Sequence, residues 1–208
     1  VNRAPSSRTR TSSCSSTVAA APVLAAARAL AAGNTPALLA IDGRCGSGKS
    51  SLAAWLAGEL DCNLVHMDDF YLPPARRRPD WEQHPGANMD FARLREEVLL
   101  PLLAGQPADY RAYVCRSGAL QTAVPLPPRA LNIVEGSYAL HPALGVDFAC
   151  KVFVTCAPAC RCARLQAREG ERYPAFAARW IPLEEAYFAA RAPEKTCDFV
   201  LDTTALTV

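Results

Sequence analysis

The residues best suited to chemistry lie in one short stretch, "IDGRCGSGKS" at positions 41–50. Gly43, Gly48, Lys49 and Ser50 fit the spacing of a phosphate-binding loop, which is Gly, four residues, Gly, Lys and then Ser or Thr. Glycines let successive backbone N–H groups converge on phosphate oxygens beside the positive end of the following helix. The stretch therefore predicts a site for a nucleoside triphosphate.

Two polar residues of this loop have expected roles. Lys49 is expected to reach the β and γ phosphates, and the Ser50 hydroxyl is expected to bind Mg²⁺. The predicted cofactors are thus ATP, or another nucleoside triphosphate, and Mg²⁺. The predicted nucleotide-binding residues are Gly43, Arg44, Cys45, Gly46, Ser47, Gly48, Lys49, Ser50 and Ser51. The alternative is a glycine-rich turn before a core helix.

The flanks of the loop favour the functional interpretation. The apolar run "ALLAID" at 37–42 is typical of a strand buried on both faces, and Leu52, Leu56 and Leu60 recur at helical spacing after the loop. Further strand-like runs alternate with helical patterns along the 208 residues. This alternation predicts one α/β domain with the P-loop NTPase fold, a three-layer α/β/α arrangement around a mainly parallel sheet of about five strands.

Acids follow two of the other predicted strands. The segment "CNLVHMDDFYLPP" at 62–74 delivers two aspartates after an apolar run, and "LNIVEG" at 131–136 ends in Glu135. Ligands bind outside the carboxyl ends of parallel strands, so these acids are expected to face the phosphates. A carboxylate there can accept a proton from an attacking hydroxyl or help to hold Mg²⁺. For the aspartate pair alone, a solvated turn or a helix cap is the alternative.

Three motifs in order, "IDGRCGSGKSSLA", "HMDDFYLP" and "IVEGSYALHP", resemble the uridine kinase and phosphoribulokinase group of P-loop kinases, particularly uridine kinase-like bacterial proteins. The resemblance covers about residues 20–203. It implies transfer of the γ-phosphate of ATP to an alcohol, and the acceptor that it favours is the 5′-hydroxyl of uridine or a related nucleoside. By the same resemblance, Asp68 matches the catalytic base and Glu135 matches a carboxylate that holds Mg²⁺ directly or through water.

The acceptor side departs from the family pattern. Tyr71 and Tyr113 match aromatic positions that line the acceptor pocket, but Gln83 stands before His84 where nucleoside kinases usually have an aspartate that grips the ribose diol. Asp90 is the nearest alternative diol ligand, although its position also predicts the N-cap of a helix. The predicted acceptor-binding residues are Tyr71, Gln83, His84, Asp90 and Tyr113.

An arginine-rich helix is predicted to begin near Pro158 and to lead into a lid at about 164–176. Arg161, Arg164 and Arg168 share one helical face, an arrangement that is ordinarily a solvated surface. The resemblance implies that Arg164 and Arg168 close over the triphosphate and act in catalysis with Lys49 and Asp68.

Composition sets the remaining expectations. Residues 1–17 are rich in Ser, Thr and Arg and are predicted to be a disordered tail, with one kinase domain at 18–208. The net charge of +2 favours neither nucleic acid nor an anionic membrane as a partner. We expect a small-molecule substrate and a cytoplasmic location, and self-association into a homo-oligomer stays open.

The nine cysteines lack the spacing of a disulfide framework or a zinc site. Two alternatives remain: a kinase for a different alcohol, or a nucleotide-binding switch or ATPase without a small acceptor.

Overall fold

The computed structural model describes residues 13–205 as strands and helices in alternation. The strands are β1 Ala37–Gly43, β2 Cys62–His66, β3 Ala108–Tyr110, β4 Tyr113–Val114, β5 Ala119–Leu120, β6 Val124–Leu126, β7 Leu131–Glu135, β8 Cys150–Thr155 and β9 Phe199–Asp202. The helices are α1 Ser13–Ala31, α2 Lys49–Glu59, α3 Phe91–Leu94, α4 Leu100–Leu103, α5 Pro158–Glu169 and α6 Tyr173–Arg191, with a π-helical segment Arg95–Leu99 between α3 and α4.

Five strands form the central sheet in the order β2, β7, β1, β8, β9. Every neighbouring pair in this sheet is parallel. Parallel pairing requires crossover connections, which place helices on both faces. The predicted α/β fold with a mainly parallel sheet is therefore confirmed.

Both faces of the sheet are buried, which explains why β1 is apolar at nearly every position. Leu38 and Ala40 point into a core that is completed by residues of the 91–103 helical segment and of α6. Leu39 and Ile41 point to the other side, where α1 and α2 cover the sheet. A strand buried on both faces reads as a continuous apolar run, as the sequence predicts for 37–42.

Helix α1 begins at Ser13, five residues before the predicted start of the domain at Val18. Residues 13–17 thus belong to a helix, whereas the prediction placed them in a disordered tail. The remainder of that predicted tail, residues 1–12, lies outside the described residues. Within the part of the chain that the structure describes, no helix combines the length and apolarity needed to cross a membrane.

Two features outside the sheet shape the site. The chain between α4 and β7 forms two small antiparallel pairs, β3 with β6 and β4 with β5. Helices α5 and α6 meet at a short 3-10 turn, Gly170–Arg172, in the region predicted to be the lid. Gly170 has a φ of 56°, a left-handed conformation that glycine adopts without steric cost, so the chain can reverse there.

Candidate active site

One cavity of about 850 Å³ opens at the carboxyl end of the sheet. It is lined by residues from four separate predictions: the phosphate loop, the aspartate pair, the metal-side glutamate and the lid. The predicted site residues that line it are Cys45, Gly46, Gly48, Lys49, Ser50, Ser51, Asp68, Tyr71, Glu135, Arg164 and Arg168. The structure thus brings together residues that are more than 100 positions apart in the chain.

The phosphate loop joins β1 to α2, as its flanks predict. Lys49 is the first residue of α2 and only 7% exposed, and its Nζ donates to the Arg44 carbonyl at 2.9 Å. Gly48 has a φ of 97°, and a Cβ on Gly43 would lie 2.1 Å from the Val154 carbonyl oxygen. These two glycines therefore permit the tight turn and the close approach to β8. The loop presents backbone N–H groups and one ammonium to the cavity.

Ser50 and Glu135 are in contact, as the predicted Mg²⁺ site requires. The Ser50 hydroxyl lies 3.2 Å from each Glu135 carboxylate oxygen, and His66 Nδ1 lies 2.6 Å from Glu135 Oε1. That hydrogen bond raises the pKa of His66 above 6.5, against the opposing effect of burial.

The donors at this place fit Mg²⁺. A hydroxyl and a carboxylate are the oxygen ligands that Mg²⁺ combines with waters and substrate phosphates, in place of a cage of protein ligands. Across residues 13–205 no cluster of three or more His, Cys, Asp or Glu side chains is suited to a metal ion. Ser50 and Glu135 would therefore hold Mg²⁺ together with ligands from outside the protein.

The two adjacent aspartates have different surroundings. Asp68 lines the cavity, and its Oδ1 accepts a hydrogen bond from the Tyr71 hydroxyl at 2.8 Å. Asp69 instead accepts a hydrogen bond from the Tyr110 hydroxyl, which in turn accepts one from the His66 N–H at 3.2 Å. Asp68 is therefore accessible to a ligand in the cavity, whereas Asp69 links β3 to the end of β2 through its hydrogen bond with Tyr110. Tyr71 both lines the cavity and orients the candidate base.

Three of the predicted loop residues do not line the cavity, namely Gly43, Arg44 and Ser47. The Arg44 side chain turns away to Glu185 on α6, at 3.0 Å. Arg161 on α5 contacts the same carboxylate at 2.7 Å. Glu185 therefore links the phosphate loop to both helices of the predicted lid.

A carboxylate outside the predicted site residues, Glu184 on α6, lies against the phosphate loop. Its Oε1 accepts from the Cys45 N–H at 2.5 Å and from the Ser137 hydroxyl at 2.5 Å. Its Oε2 is buried and has no hydrogen-bond partner among residues 13–205. Burial and this neighbouring carboxylate raise the pKa of the Cys45 thiol to about 12, so Cys45 is a poor nucleophile. A glutamate on an otherwise apolar helix face was the only sequence signal for it.

The acceptor side differs most from the expectation. Gln83 and His84 are exposed and absent from the cavity lining, and His84 Nε2 lies 3.1 Å from Asp80. Asp90 is the N-cap of α3, accepting from the Arg93 N–H at 3.3 Å, and Tyr113 is buried in β4. Of the predicted acceptor-binding residues, only Tyr71 reaches the cavity. Residues that the sequence did not single out line this side: Arg77, Asn88, Cys115, Tyr138, Phe176 and Trp180.

The two predicted lid arginines, Arg164 and Arg168, make different contacts. Arg164 donates to the Thr203 hydroxyl and carbonyl, each at 2.9 Å. Arg168 lies over the Phe176 ring, 5.3 Å from its centroid, and contacts Glu169 at 2.9 Å. Arg164 is thus fixed against the end of β9, whereas Arg168 is carried by the corner between α5 and α6.

If this cavity catalyses phosphotransfer, Arg168→Ala is expected to lower the turnover number by ~10- to 100-fold, because it removes a cation from the cavity lining that would neutralise charge on the transferred group. Arg172→Ala is the matched control. Arg172 also contacts Glu169, at 3.4 Å, but it does not line the cavity. Steady-state kinetics of both variants would test this. Equal losses of turnover in the two variants would show that the ion pairs with Glu169, and not the position of Arg168 in the cavity lining, account for the effect.

Asp42, the last side chain of β1 before the loop, is fully buried beneath the site. Its carboxylate accepts from the Gly43 N–H at 2.7 Å, the Leu140 N–H at 3.0 Å and the Tyr187 hydroxyl at 2.8 Å. Burial nevertheless raises its pKa from 3.8 to about 6, because desolvation outweighs these hydrogen bonds. Asp42 links the loop, the segment after β7 and helix α6.

This pKa shift predicts how stability depends on pH. The folded protein binds the Asp42 proton more tightly than the unfolded chain does, because the pKa of Asp42 is about 6 in the first and 3.8 in the second. The contribution of protonated Asp42 to the free energy of unfolding is therefore full below pH 3.8 and is lost as pH rises through about 6. The total loss is ~3 kcal/mol. Urea unfolding from pH 4 to 7 should show the stability of the wild type falling relative to Asp42→Asn. Asp80→Asn is the control, because Arg78 lowers the Asp80 pKa below 3.8, so the contribution of Asp80 to stability is lost only at lower pH and stays nearly constant from pH 4 to 7. A difference that rises with pH would contradict the prediction.

Solved structures of other proteins share the parallel α/β fold of this chain. A protein described as a "possible uridine kinase" from Bacillus stearothermophilus is 21% identical, with a TM-score of 0.63, and the match covers 85% of this chain and 95% of that one. A candidate fructose transport system kinase from Silicibacter sp. TM1040 is 22% identical, with a TM-score of 0.64 and coverage of 86% and 97%.

A third solved structure, YFH7 from Saccharomyces cerevisiae, is described as a candidate P-loop containing kinase with a circular permutation. It is 11% identical, with a TM-score of 0.54 and coverage of 90% of this chain and 98% of that one. No family model matches the sequence, and no curated protein matches it. The chain therefore has the fold of P-loop kinases, in agreement with the resemblance carried by its motifs.

Proposed function

We propose that this protein is an ATP-dependent phosphotransferase that acts on the hydroxyl group of a small alcohol. One observation carries the proposal: the phosphate loop, the Ser50–Glu135 pair and Asp68 all open into a single cavity of about 850 Å³. A volume of this order accommodates small-molecule ligands. A nucleotide-binding switch requires the phosphate loop and the Ser50–Glu135 pair, but it does not require a candidate base beside an aromatic side chain.

The chain's own residues divide the work of the reaction. ATP supplies the phosphoryl group, and Mg²⁺, when bound by Ser50 and Glu135, neutralises phosphate charge. Lys49 and the loop N–H groups bind the phosphates and stabilise the charge that develops during transfer. Asp68, oriented by Tyr71, positions the attacking hydroxyl and accepts its proton. The acceptor oxygen forms the new bond to the γ phosphorus, the bond from that phosphorus to the bridging oxygen breaks, and ADP leaves.

Uridine is the acceptor that the sequence motifs favour, and it is the first one to test. Tyr71 and Trp180 support a nucleoside, because their rings lie 6.2 Å apart beside the cavity and a base could pack on them. Gln83 does not support one, since it lies outside the cavity lining. We therefore expect Gln83→Asp to leave uridine turnover unchanged.

A screen of ATP consumption and phosphorylated product across nucleosides, sugars and other alcohols would test the proposal. We expect product only when an alcohol is present, in proportion to the ADP released. ATP hydrolysis that no alcohol stimulates would instead support the switch or ATPase. We also propose a cytoplasmic location, since the eight cysteines from Cys45 to Cys197 are free thiols and thiols persist in reducing compartments.

A further inference from the structure

Three consecutive arginines, Arg76, Arg77 and Arg78, lie on the segment that follows the candidate base. The outer two have carboxylate partners: Arg76 contacts Asp90 at 3.1 Å and Arg78 contacts Asp80 at 2.5 Å. Neither of them lines the cavity, whereas Arg77 does. The middle arginine is therefore the one that a ligand can reach.

Arg77 is held in place by neutral groups. Its Nε donates to the Leu72 carbonyl at 2.8 Å, and its guanidinium carbon lies 5.2 Å from the centroid of the Trp81 ring. Within residues 13–205, no carboxylate lies within 4.0 Å of this guanidinium. The contacts fix the plane of the guanidinium, and among the described residues its charge has no carboxylate within ion-pair distance.

The position of Arg77 separates it from the cations that would contact the triphosphate. Lys49 belongs to the phosphate loop, and Arg164 and Arg168 belong to α5. Arg77 instead shares its stretch of chain with Tyr71 and Pro74, which line the cavity after Asp68. It therefore lies on the wall of the cavity that carries the candidate base, where the acceptor would bind.

A half-buried guanidinium without a counter-ion favours an anionic ligand. Carboxylates and phosphates bind the planar guanidinium through two parallel N–H···O hydrogen bonds, and packing on an aromatic ring orients it for them. We propose that the acceptor alcohol carries a carboxylate or phosphate group in addition to the hydroxyl that is phosphorylated, and that Arg77 binds this group. This inference rests on the proposed phosphotransferase activity and names its substrate class.

The test compares neutral alcohols with anionic alcohols of the same skeleton. Suitable sets are glycerol with glycerate and glycerol 3-phosphate, ribose with ribose 5-phosphate, and uridine with uridine 3′-phosphate, which retains the 5′-hydroxyl. With saturating ATP and Mg²⁺, we expect kcat/KM to be at least ~10-fold higher for the anionic members of the set that fits the cavity. Glycerate and glycerol 3-phosphate distinguish a carboxylate preference from a phosphate preference.

Arg77→Gln should then lower kcat/KM for the anionic acceptor by ~10- to 100-fold, mainly through a higher acceptor KM, with the KM for ATP unchanged. Arg77→Lys keeps the charge but loses the two-point hydrogen bonding, so partial activity is expected, and it keeps the test usable if the glutamine variant misfolds. Arg78→Gln is the matched control, because Arg78 is adjacent, of the same type and outside the cavity lining.

Three outcomes would overturn the inference. If neutral alcohols are phosphorylated as well as their anionic counterparts and Arg77→Gln behaves like Arg78→Gln, the phosphotransferase proposal stands but the anionic acceptor is wrong. If Arg77→Gln raises the KM for ATP instead of the acceptor KM, Arg77 serves the nucleotide. If no alcohol is phosphorylated by the wild type, the proposed function fails and this inference fails with it.

Discussion

Lys49→Ala is expected to lower phosphotransfer by at least ~100-fold, the largest effect of a single change in the phosphate loop. Lys49 is the buried cation of the loop and is held against the Arg44 carbonyl at 2.9 Å, so its charge is in place before the substrate binds. A preorganised charge of this kind stabilises the transferred group by ~2.7–4 kcal/mol in comparable sites. Water entering the space left by alanine cannot supply a fixed positive charge.

The measurement is the rate of product formation at saturating ATP and acceptor, with thermal unfolding to show that the variant folds. Lys195→Ala is the control, because Lys195 is exposed in the 3-10 segment Pro193–Thr196, away from the cavity lining. Near-normal turnover by a folded Lys49→Ala protein would rule out phosphotransfer at this loop.

Asp68→Asn is expected to reduce phosphotransfer by ~10²- to 10⁴-fold while leaving nucleotide binding nearly intact. The substitution removes the carboxylate that would accept the hydroxyl proton. It keeps an oxygen that can accept the hydrogen bond from Tyr71, so the local packing is expected to survive. Because Asp68 makes no hydrogen bond to the phosphate loop among the described residues, the affinity for ATP should change little.

Asp69→Asn is the matched control for this variant. It changes the neighbouring carboxylate, which accepts a hydrogen bond from Tyr110 and does not line the cavity. Product formation and ATP affinity, measured separately for both variants, distinguish a base from a structural or metal-binding acid. Equal loss of transfer and of ATP binding in Asp68→Asn would show that Asp68 supports the metal or the fold.

The nucleotide half of the site could be predicted because its determinants are local. The loop from Gly43 to Ser50 is one continuous segment, and its conformation follows from the glycine positions and the strand and helix on either side. Ser50 and Glu135 also meet as expected. Parallel strands end at the same edge, so residues at the carboxyl ends of β1 and β7 must lie close together.

The choice between Asp68 and Asp69 shows where local pattern stops being sufficient. Both follow β2, and the resemblance to P-loop kinases favoured Asp68. What separates them physically is Tyr110, which comes from β3 more than 40 positions later and takes Asp69 out of reach of a ligand. A spacing rule contains no information about that distant hydroxyl.

The acceptor half was decided by tertiary structure. Gln83, His84 and Tyr113 were matched by their order in the chain, but the short elements that carry them direct one pair to the surface and Tyr113 into the interior. Arg77 and Glu184 reach the cavity instead. Neither could be identified from local sequence, because Arg77 is one of three adjacent arginines and Glu184 is on a helix face that is otherwise core.

The sequence by itself determined that this protein has a parallel α/β fold with a phosphate loop at the end of its first strand, since apolar periodicity and glycine spacing act over a few residues. Only the tertiary structure decided which side chains line the cavity beyond the phosphate loop. These come from the segments after β2, between α4 and β7, after β7 and along α6, and their meeting depends on how helices pack over the edge of the sheet. That packing depends on contacts between residues distant in the chain, which no short motif specifies.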